Sequence, residues 1–182
     1  MHAPSGPVTA PVVQALLEGG TLSGPWTLDP GRSSIRLASK VMGLVPVNGV
    51  FREVRGQGTV APGGEVSGTV TIAAASIDTN QTRRDTHLRS ADFFDTGSHP
   101  DITFTADGIR PSGQGVAVSG VLTVRGRTRP LSFDVAPSVH GDGEVWLDAR
   151  VRVNRTDFGL TWNQLGLVSV TSTLTIHAVF TR

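Results

Sequence analysis

Apolar residues at every second position, interrupted at short intervals by glycine- and proline-rich turns, constrain this chain more than any other feature of it. Successive side chains of a β-strand leave opposite faces, so an inward residue at i, i+2 and i+4 marks a half-buried strand. Ile35, Leu37 and Val41 share one face of a first long strand, and Val47, Gly49 and Phe51 share a face of the next. Val66, Val70 and Ile72 alternate with Ser67, Thr69 and Thr71, and Ile102 and Phe104 alternate with Thr103 and Thr105. Val116, Val118, Leu122 and Val124 form another row; Leu131, Phe133 and Val135 oppose Ser132 and Asp134. Val145, Leu147, Val151 and Val153 oppose Trp146, Asp148, Arg150 and Arg152. A last strand is predicted from about Val168, with Val170, Leu174, Ile176, Ala178 and Phe180 inward. The turns at Pro30-Gly31, Pro62-Gly63-Gly64, Ser112-Gly113-Gln114-Gly115, Gly126-Arg127-Thr128 and Gly141-Asp142-Gly143 are too short for crossovers, so neighbouring strands pair antiparallel. About eight antiparallel strands with one apolar face make either a closed barrel or a two-sheet sandwich.

The inward rows hold many small residues: Ser39, Gly68, Ala74, Ala106, Gly120, Ala149, Ser172 and Ala178. Aromatics make up 5% of the chain and tyrosine is absent. Eight strands of roughly ten residues, each ~33 Å long, enclose a space that side chains fill or one ligand occupies. Native interiors are close-packed, so short inward side chains imply an apolar guest. The same residues would equally suit two sheets in close approach, and the pattern alone leaves both arrangements open. With 182 residues the chain is long enough for one domain with a real core. Residues 1–23 read as a tail and short helix ahead of a body at 24–182. Residues 1–9 are small and polar enough for a disordered tail, and Pro11 to Glu18 form a helix ended by Gly19-Gly20.

Thr79 to Phe104 alone breaks the strand pattern. It concentrates Arg83, Arg84, Asp85, His87, Arg89, Asp92 and Asp95, then adds Phe93, Phe94 and His99-Pro100. A polar insert between apolar strands is where function gathers. Asp85, His87, Asp92, Asp95 and His99 offer metal ligands, but no spacing matches a zinc or calcium motif, and the nearby arginines suit the carboxylates better. Asp85 and Arg89, four residues apart, have the spacing of a helical ion pair. An acid–base or metal-dependent enzyme built on Asp85, His87, Asp92 and His99 is therefore the alternative to a binding protein, together with an interaction module of solid sandwich type. No nucleophile motif supports hydrolysis. Arg125, Arg127 and Arg129 alternate along one side of a hairpin as a solvated basic turn. The net charge of +1 does not argue for nucleic acid. No cysteine is present, which leaves the redox compartment open. The stretch Val8 to Leu17 makes a poor signal peptide and no apolar run reaches the ~18 residues a spanning helix needs, which points to a cytoplasmic protein without stable membrane insertion.

The stretch Arg83 to Phe104, RRDTHLRSADFFDTGSHPDITF, resembles the signature of the YceI-like polyisoprenoid-binding proteins. Trp26-Thr27-Leu28-Asp29-Pro30 with Ser33-Ser34 is similar to the opening of that family, and Val47-Asn48-Gly49-Val50-Phe51 to its V-x-G-x-F strand. Gly120-Val121-Leu122-Thr123-Val124-Arg125-Gly126 resembles its G-x-L-T-x-x-G hairpin, and Arg155-Thr156-Asp157-Phe158-Gly159 its R-x-D-F-G motif. One position departs: after the basic residue of the first long strand the family commonly has histidine, where this chain has Val41. The resemblance implies an extended eight-stranded antiparallel lipocalin-like barrel, with a short helical insert and a short N-terminal helix. It implies a carrier, for transport or sequestration of a long-chain isoprenoid, an isoprenoid quinone or a similar amphiphile, rather than an enzyme. The ligand-facing residues it implies are Leu37, Val41, Phe51, Val70, Ile72, Leu88, Phe93, Phe94, Phe104, Leu122, Phe133, Leu147, Val151, Phe158 and Leu174. Arg84, Asp85 and His87 would form a polar lid or meet the head group. No catalytic residue, metal or cofactor beyond the bound lipid is expected, and a homodimer is compatible with this reading.

Overall fold

The computed structural model describes residues 5–113 and 115–182. The alternating stretches form β2 (Gly24–Leu28), β3 (Ser34–Val41), β4 (Val45–Phe51), β5 (Val54–Val60), β6 (Val66–Ala73), β8 (Asp101–Ser112), β9 (Gly115–Val124), β10 (Arg127–His140), β11 (Glu144–Asn154) and β12 (Thr171–Thr181). Two short strands, β1 (Ser5–Pro7) and β7 (Ile77–Asp78), and two helices, α1 (Ala10–Glu18) and α2 (Thr82–Arg89), complete the set. Eight strands close a ring in the order β2-β5-β6-β8-β9-β10-β11-β12 and back to β2, every pair antiparallel. Closure leaves the ring without an open edge, which is how a barrel satisfies its backbone groups.

The ring does not have one width along its axis. β2 and β3 are two halves of one run, broken at residues 29–33. β12 pairs with β2 through Phe180 and Thr181, and with β3 through Thr173 to His177. Val179 lies between these sets, and the break serves its backbone: the Asp29 N–H donates to the Val179 carbonyl at 2.8 Å, and the Val179 N–H donates to Ser33 Oγ at 3.0 Å. Asp29 folds the break back on itself by accepting from the Gly31 N–H and from Arg32 Nε. Arg32 also donates to Glu144, and hydrogen bonding to Arg32 holds both carboxyls below their ordinary range. Before the break β2 pairs with β5; after it β3 pairs with β4, and β4 touches β7 only at Val50 and Phe51. The strands therefore diverge toward one end. Residues 74–100, with α2, fill the gap there and form part of the wall.

Buried side chains gather in two clusters along the axis. One centres on Phe51, Ile77, Phe94 and Phe158 at the end that carries α2. The other centres on Val13, Leu17, Trp26 and Val139 at the end that carries α1. Residues 5–9, read above as part of a disordered tail, are built into this second end. Ser5 to Pro7 pair with Ser138 to His140, and the Val8 N–H donates to the Pro137 carbonyl at 3.0 Å, because β10 extends past β9 and leaves backbone groups to be met. Residues 1–4 and 114 of the tail and turn readings lie outside the described residues.

Two further readings are corrected. The last strand begins at Thr171 rather than about Val168, and Val170 is 48% exposed instead of inward. The Arg155 N–H still donates to the Val170 carbonyl in register with β11, but on the other side the pairing slips: Ala38 faces Thr173 while Val41 bridges to Val168, and the Ser169 N–H donates to the Lys40 carbonyl. The β9–β10 turn is Arg125-Gly126, both with positive φ of 51° and 70°, so Arg127 already pairs with Val124. Arg125 is no free surface base; its Nη1 donates to the Gly159 carbonyl at 3.2 Å.

The small inward residues divide by cause. Ala106, Ala149 and Ala178 face a cavity. Gly120 instead allows backbone contact: a β-carbon there would stand 2.1 Å from the Thr105 carbonyl oxygen and 2.9 Å from Ala106 Cα, beside the register shift between Ala106 and Gly108. Gly120→Ala should destabilise the barrel by about 3 kcal/mol, because rigid ladder backbone must move. Gly97→Ala, where nothing lies within 4 Å, should change stability by no more than about 0.5 kcal/mol. Urea unfolding midpoints of the two variants check the contrast.

Candidate ligand-binding site

Two cavities follow one another along the barrel axis. The smaller, about 260 Å³, lies at the α1 end among Val13, Leu17, Leu22 and Trp26 and the inward residues of β6 and β8–β12. The larger, about 680 Å³, lies where the strands diverge, walled by β3, β4, α2 and the loop before β12. Ile72, Ile102, Leu122 and Leu174 line both and stand at the boundary between them. The difference in volume follows from the fold: the wider end has an extra arc of wall, and the narrow end is filled by α1. A chamber of the larger size falls within the range of small-molecule sites, ~300–1,000 Å³.

Every apolar residue marked by the sequence reading lines one of the two chambers. Val70, Phe104, Phe133, Leu147 and Val151 line the smaller, and Leu37, Val41, Phe51, Leu88, Phe93, Phe94 and Phe158 the larger; Ile72, Leu122 and Leu174 lie at the boundary. Phe94 is buried edge-on against Phe51, ring centroids 5.9 Å apart. Phe93 is half-buried and leans on Trp162 at 5.3 Å.

Arg84, Asp85 and Arg89 hold the charged insert by bonding to Thr79 and to backbone carbonyls rather than by pairing with one another. Arg84 donates from Nε to Thr79 Oγ1 and from Nη2 to the Thr79 carbonyl, at 2.8 and 2.9 Å. Asp85 is buried and accepts from both the Thr79 N–H and the Thr79 hydroxyl, so it faces away from the chamber. The predicted Asp85–Arg89 pair does not form: Arg89 donates to the carbonyls of Ala75 and Ile77 at 2.7 and 2.9 Å. The cause is local: the turn at Ala74–Ser76 and the two-residue β7 present the carbonyls of Ala75 and Ile77 to Arg89, and backbone acceptors must be met. Arg84 and His87 line the larger chamber; Asp85 does not.

The residues of the enzyme alternative do not converge. His87 meets Asp92 at 3.1 Å, Asp85 is committed to Thr79, and His99 lies against Gly126. Among the described residues no three His, Asp or Glu side chains come together to hold a metal ion.

Among the residues of this site that escaped the sequence reading as chamber-lining groups are Trp162 and Arg155. Trp162 caps the larger chamber and stands 4.5 Å from the His87 ring, edge to face. Arg155, only 6% exposed, donates to the carbonyls of Leu160, Trp162, Val168 and Ser169 and so gathers the loop that carries Trp162. Burial pushes its guanidinium below its ordinary pKa. Its motif was visible, but which carbonyls it would collect was not. Ser39 Oγ is buried in the larger chamber without a hydrogen-bond partner among the described residues. Arg83, Arg84, His87 and Arg155 line that chamber, and no carboxylate does.

A profile of the family described as YceI-like domain matches residues 26–180. Protein YceI of Escherichia coli O6:H1 is 36% identical over 97 residues, half of each chain, and a UPF0312 protein of Pectobacterium carotovorum is 36% identical over 98 residues, again half of each. These alignments span about half the length of those relatives. The crystal structure of Burkholderia cenocepacia BcnA superposes with a TM-score of 0.76 over 84% of this chain and 98% of that one, at 24% identity. A polyisoprenoid binding domain from Saccharophagus degradans superposes with a TM-score of 0.71 over 86% of this chain and 97% of that one, at 17% identity. At such identities the likeness is one of fold.

Arg155→Leu should cost about 2–3 kcal/mol, because four loop carbonyls lose a charged donor. It should also raise amide hydrogen exchange across residues 160–169 ahead of the barrel strands. Exchange that rises uniformly would mean that Arg155 does not serve that loop in particular.

Proposed function

The chain belongs to the YceI-like domain family, and on that premise we propose that it binds one long apolar molecule along the barrel axis, an isoprenoid or similar amphiphile, as a carrier rather than an enzyme. The observation that carries this reading is the pair of adjoining chambers with apolar walls, set end to end along the barrel axis. The one acid–base pair at the larger chamber among the described residues, His87 with Asp92, is not joined by Asp85 or His99. An apolar chain entering them leaves water at ~0.8 kcal/mol per buried CH₂, less the cost of ordering it. The description of the Saccharophagus degradans neighbour as a polyisoprenoid binding domain supports the same class of ligand.

Polarity gives the ligand a direction. The smaller chamber would take the tail, because α1 blocks its far end with Val13 and Leu17. The larger would take the head, because Arg83, Arg84, His87 and the unpaired Ser39 hydroxyl face it with no acid present. A buried hydroxyl left without a partner costs about 1–3 kcal/mol, so an acceptor on the ligand would be favoured there. Val41 occupies the position where the family commonly has histidine, and it adds apolar wall at the same mouth.

A series of prenyl alcohols of increasing length tests the reading by calorimetry or thermal shift. Affinity should rise with length and then level once both chambers are full. Leu174→Trp at the boundary should weaken long members by about tenfold or more and leave those that fit the larger chamber within about twofold. Equal losses at all lengths, or no stabilisation by any member, would refute the axial tunnel.

A further inference from the structure

At the wide end of the barrel the chain repeats itself on two loops. Met42-Gly43-Leu44-Val45, between β3 and β4, and Leu165-Gly166-Leu167-Val168, ahead of β12, share one pattern, a long apolar residue followed by Gly-Leu-Val. Met42 and Leu165 share a left-handed backbone, φ 55° and 59°, and each precedes a glycine at φ 67° and 68°. The loops are joined: the Met42 N–H donates to the Leu167 carbonyl at 2.6 Å, the Ser169 N–H to the Lys40 carbonyl at 2.9 Å, and Val41 bridges to Val168. They make one apolar tip. Leu44 is 85% exposed, Leu165 86% and Met42 62%, with Val45, Leu167 and Val170 beside them. No acidic residue lies between Lys40 and Phe51 or between Trp162 and Thr181. A left-handed backbone is uncommon at branched or bulky residues, and grouped exposed apolar side chains mark a contact surface.

Two observations indicate what covers it. The tip is the rim of the larger chamber, since Val41, Leu167 and Val168 line that chamber from the same loops. Cationic side chains stand free at this end: Lys40 and Arg83 are exposed, and neither has an ion pair or hydrogen bond among the described residues, whereas the acid Asp92 is taken up by His87 at 3.1 Å. A second copy would set this cationic rim against its own equivalent, because a two-fold contact brings identical patches together. An anionic lipid surface offers apolar depth and complementary charge at once.

We propose that this tip docks on an anionic lipid bilayer. Leu44, Leu165 and Met42 enter the headgroup region, Lys40 and Arg83 meet lipid phosphates, and the chamber mouth opens onto the membrane. Transfer of an apolar ligand through that contact rests on the carrier reading above; the contact itself does not.

Vesicle flotation with the whole chain tests it, using phosphatidylcholine alone and phosphatidylcholine mixed with phosphatidylglycerol. The wild type should float with the mixed vesicles and less well as salt rises. The double variant Leu44→Asp/Leu165→Asp should lose about tenfold or more of that binding while keeping its melting temperature, since both side chains lie outside the core. Lys40→Gln/Arg83→Gln should lose the preference for anionic vesicles. A wild type that floats with neither vesicle overturns the proposal, as does undiminished binding by the Asp variant. Self-association that the Asp variant abolishes, without vesicle binding, would assign the tip to a second copy and overturn it too. Uptake of a fluorescent prenyl probe separates the two readings. The Asp variant should load normally from dispersed probe and slowly from vesicles. A wild type that floats but takes up probe from neither source would leave the docking contact standing and sink the carrier reading.

Discussion

The five-residue break between β2 and β3 is the constraint on which the rest of this molecule depends. A barrel of uniform width needs each strand to keep its two neighbours along its length. Here β12 changes partner at Val179, and the change is possible because Asp29 and Ser33 supply the two hydrogen bonds that the missing strand residues would have made. Without that compensation Val179, almost wholly buried, would leave backbone groups unpaired in the core. Divergence of β3 and β4 follows from the break, and the larger chamber follows from the divergence.

Filling the gap this creates requires irregular chain in a buried setting, and irregular chain has carbonyls to satisfy. The molecule meets them with arginine. Arg84 and Arg89 hold the residues before α2, and Arg155 holds the loop before β12. A guanidinium group carries several donors in a fixed fork, so one side chain can order several carbonyls at once. Where the insert carries charge, most of that charge is spent on holding the wall, and the remainder faces the chamber. No carboxylate lines the larger chamber, so the charge that faces it is of one sign.

Much of the fold was legible along the chain because strand alternation is local. The inward rows of β6, β8, β9, β10 and β11 follow from period two alone, and the residues of those rows do line the chambers. Errors occurred where a residue's role depends on something distant. Ser5 to Pro7 become a strand only because β10 extends far enough to receive them. Val170 continues the alternation of β12 in sequence, but the register against β3 slips between the Ala38–Thr173 pair and the Val41–Val168 bridge. Asp85 and Arg89 have helical ion-pair spacing, yet each finds a closer partner in residues 75–79. Gly120 looked like a sign of hollowness and is a sign of strand contact.

Fold class and the inward face of most strands were determined by the sequence itself, since they depend on which side chains avoid water and on turns too short for any other connection. Cavity volume, the division into two chambers, the charge of the mouth and the pairing of two apolar loops were decided only by tertiary structure. Those properties depend on distances between residues far apart in the chain, and a strand pattern carries no record of how far its neighbour stands across an open space.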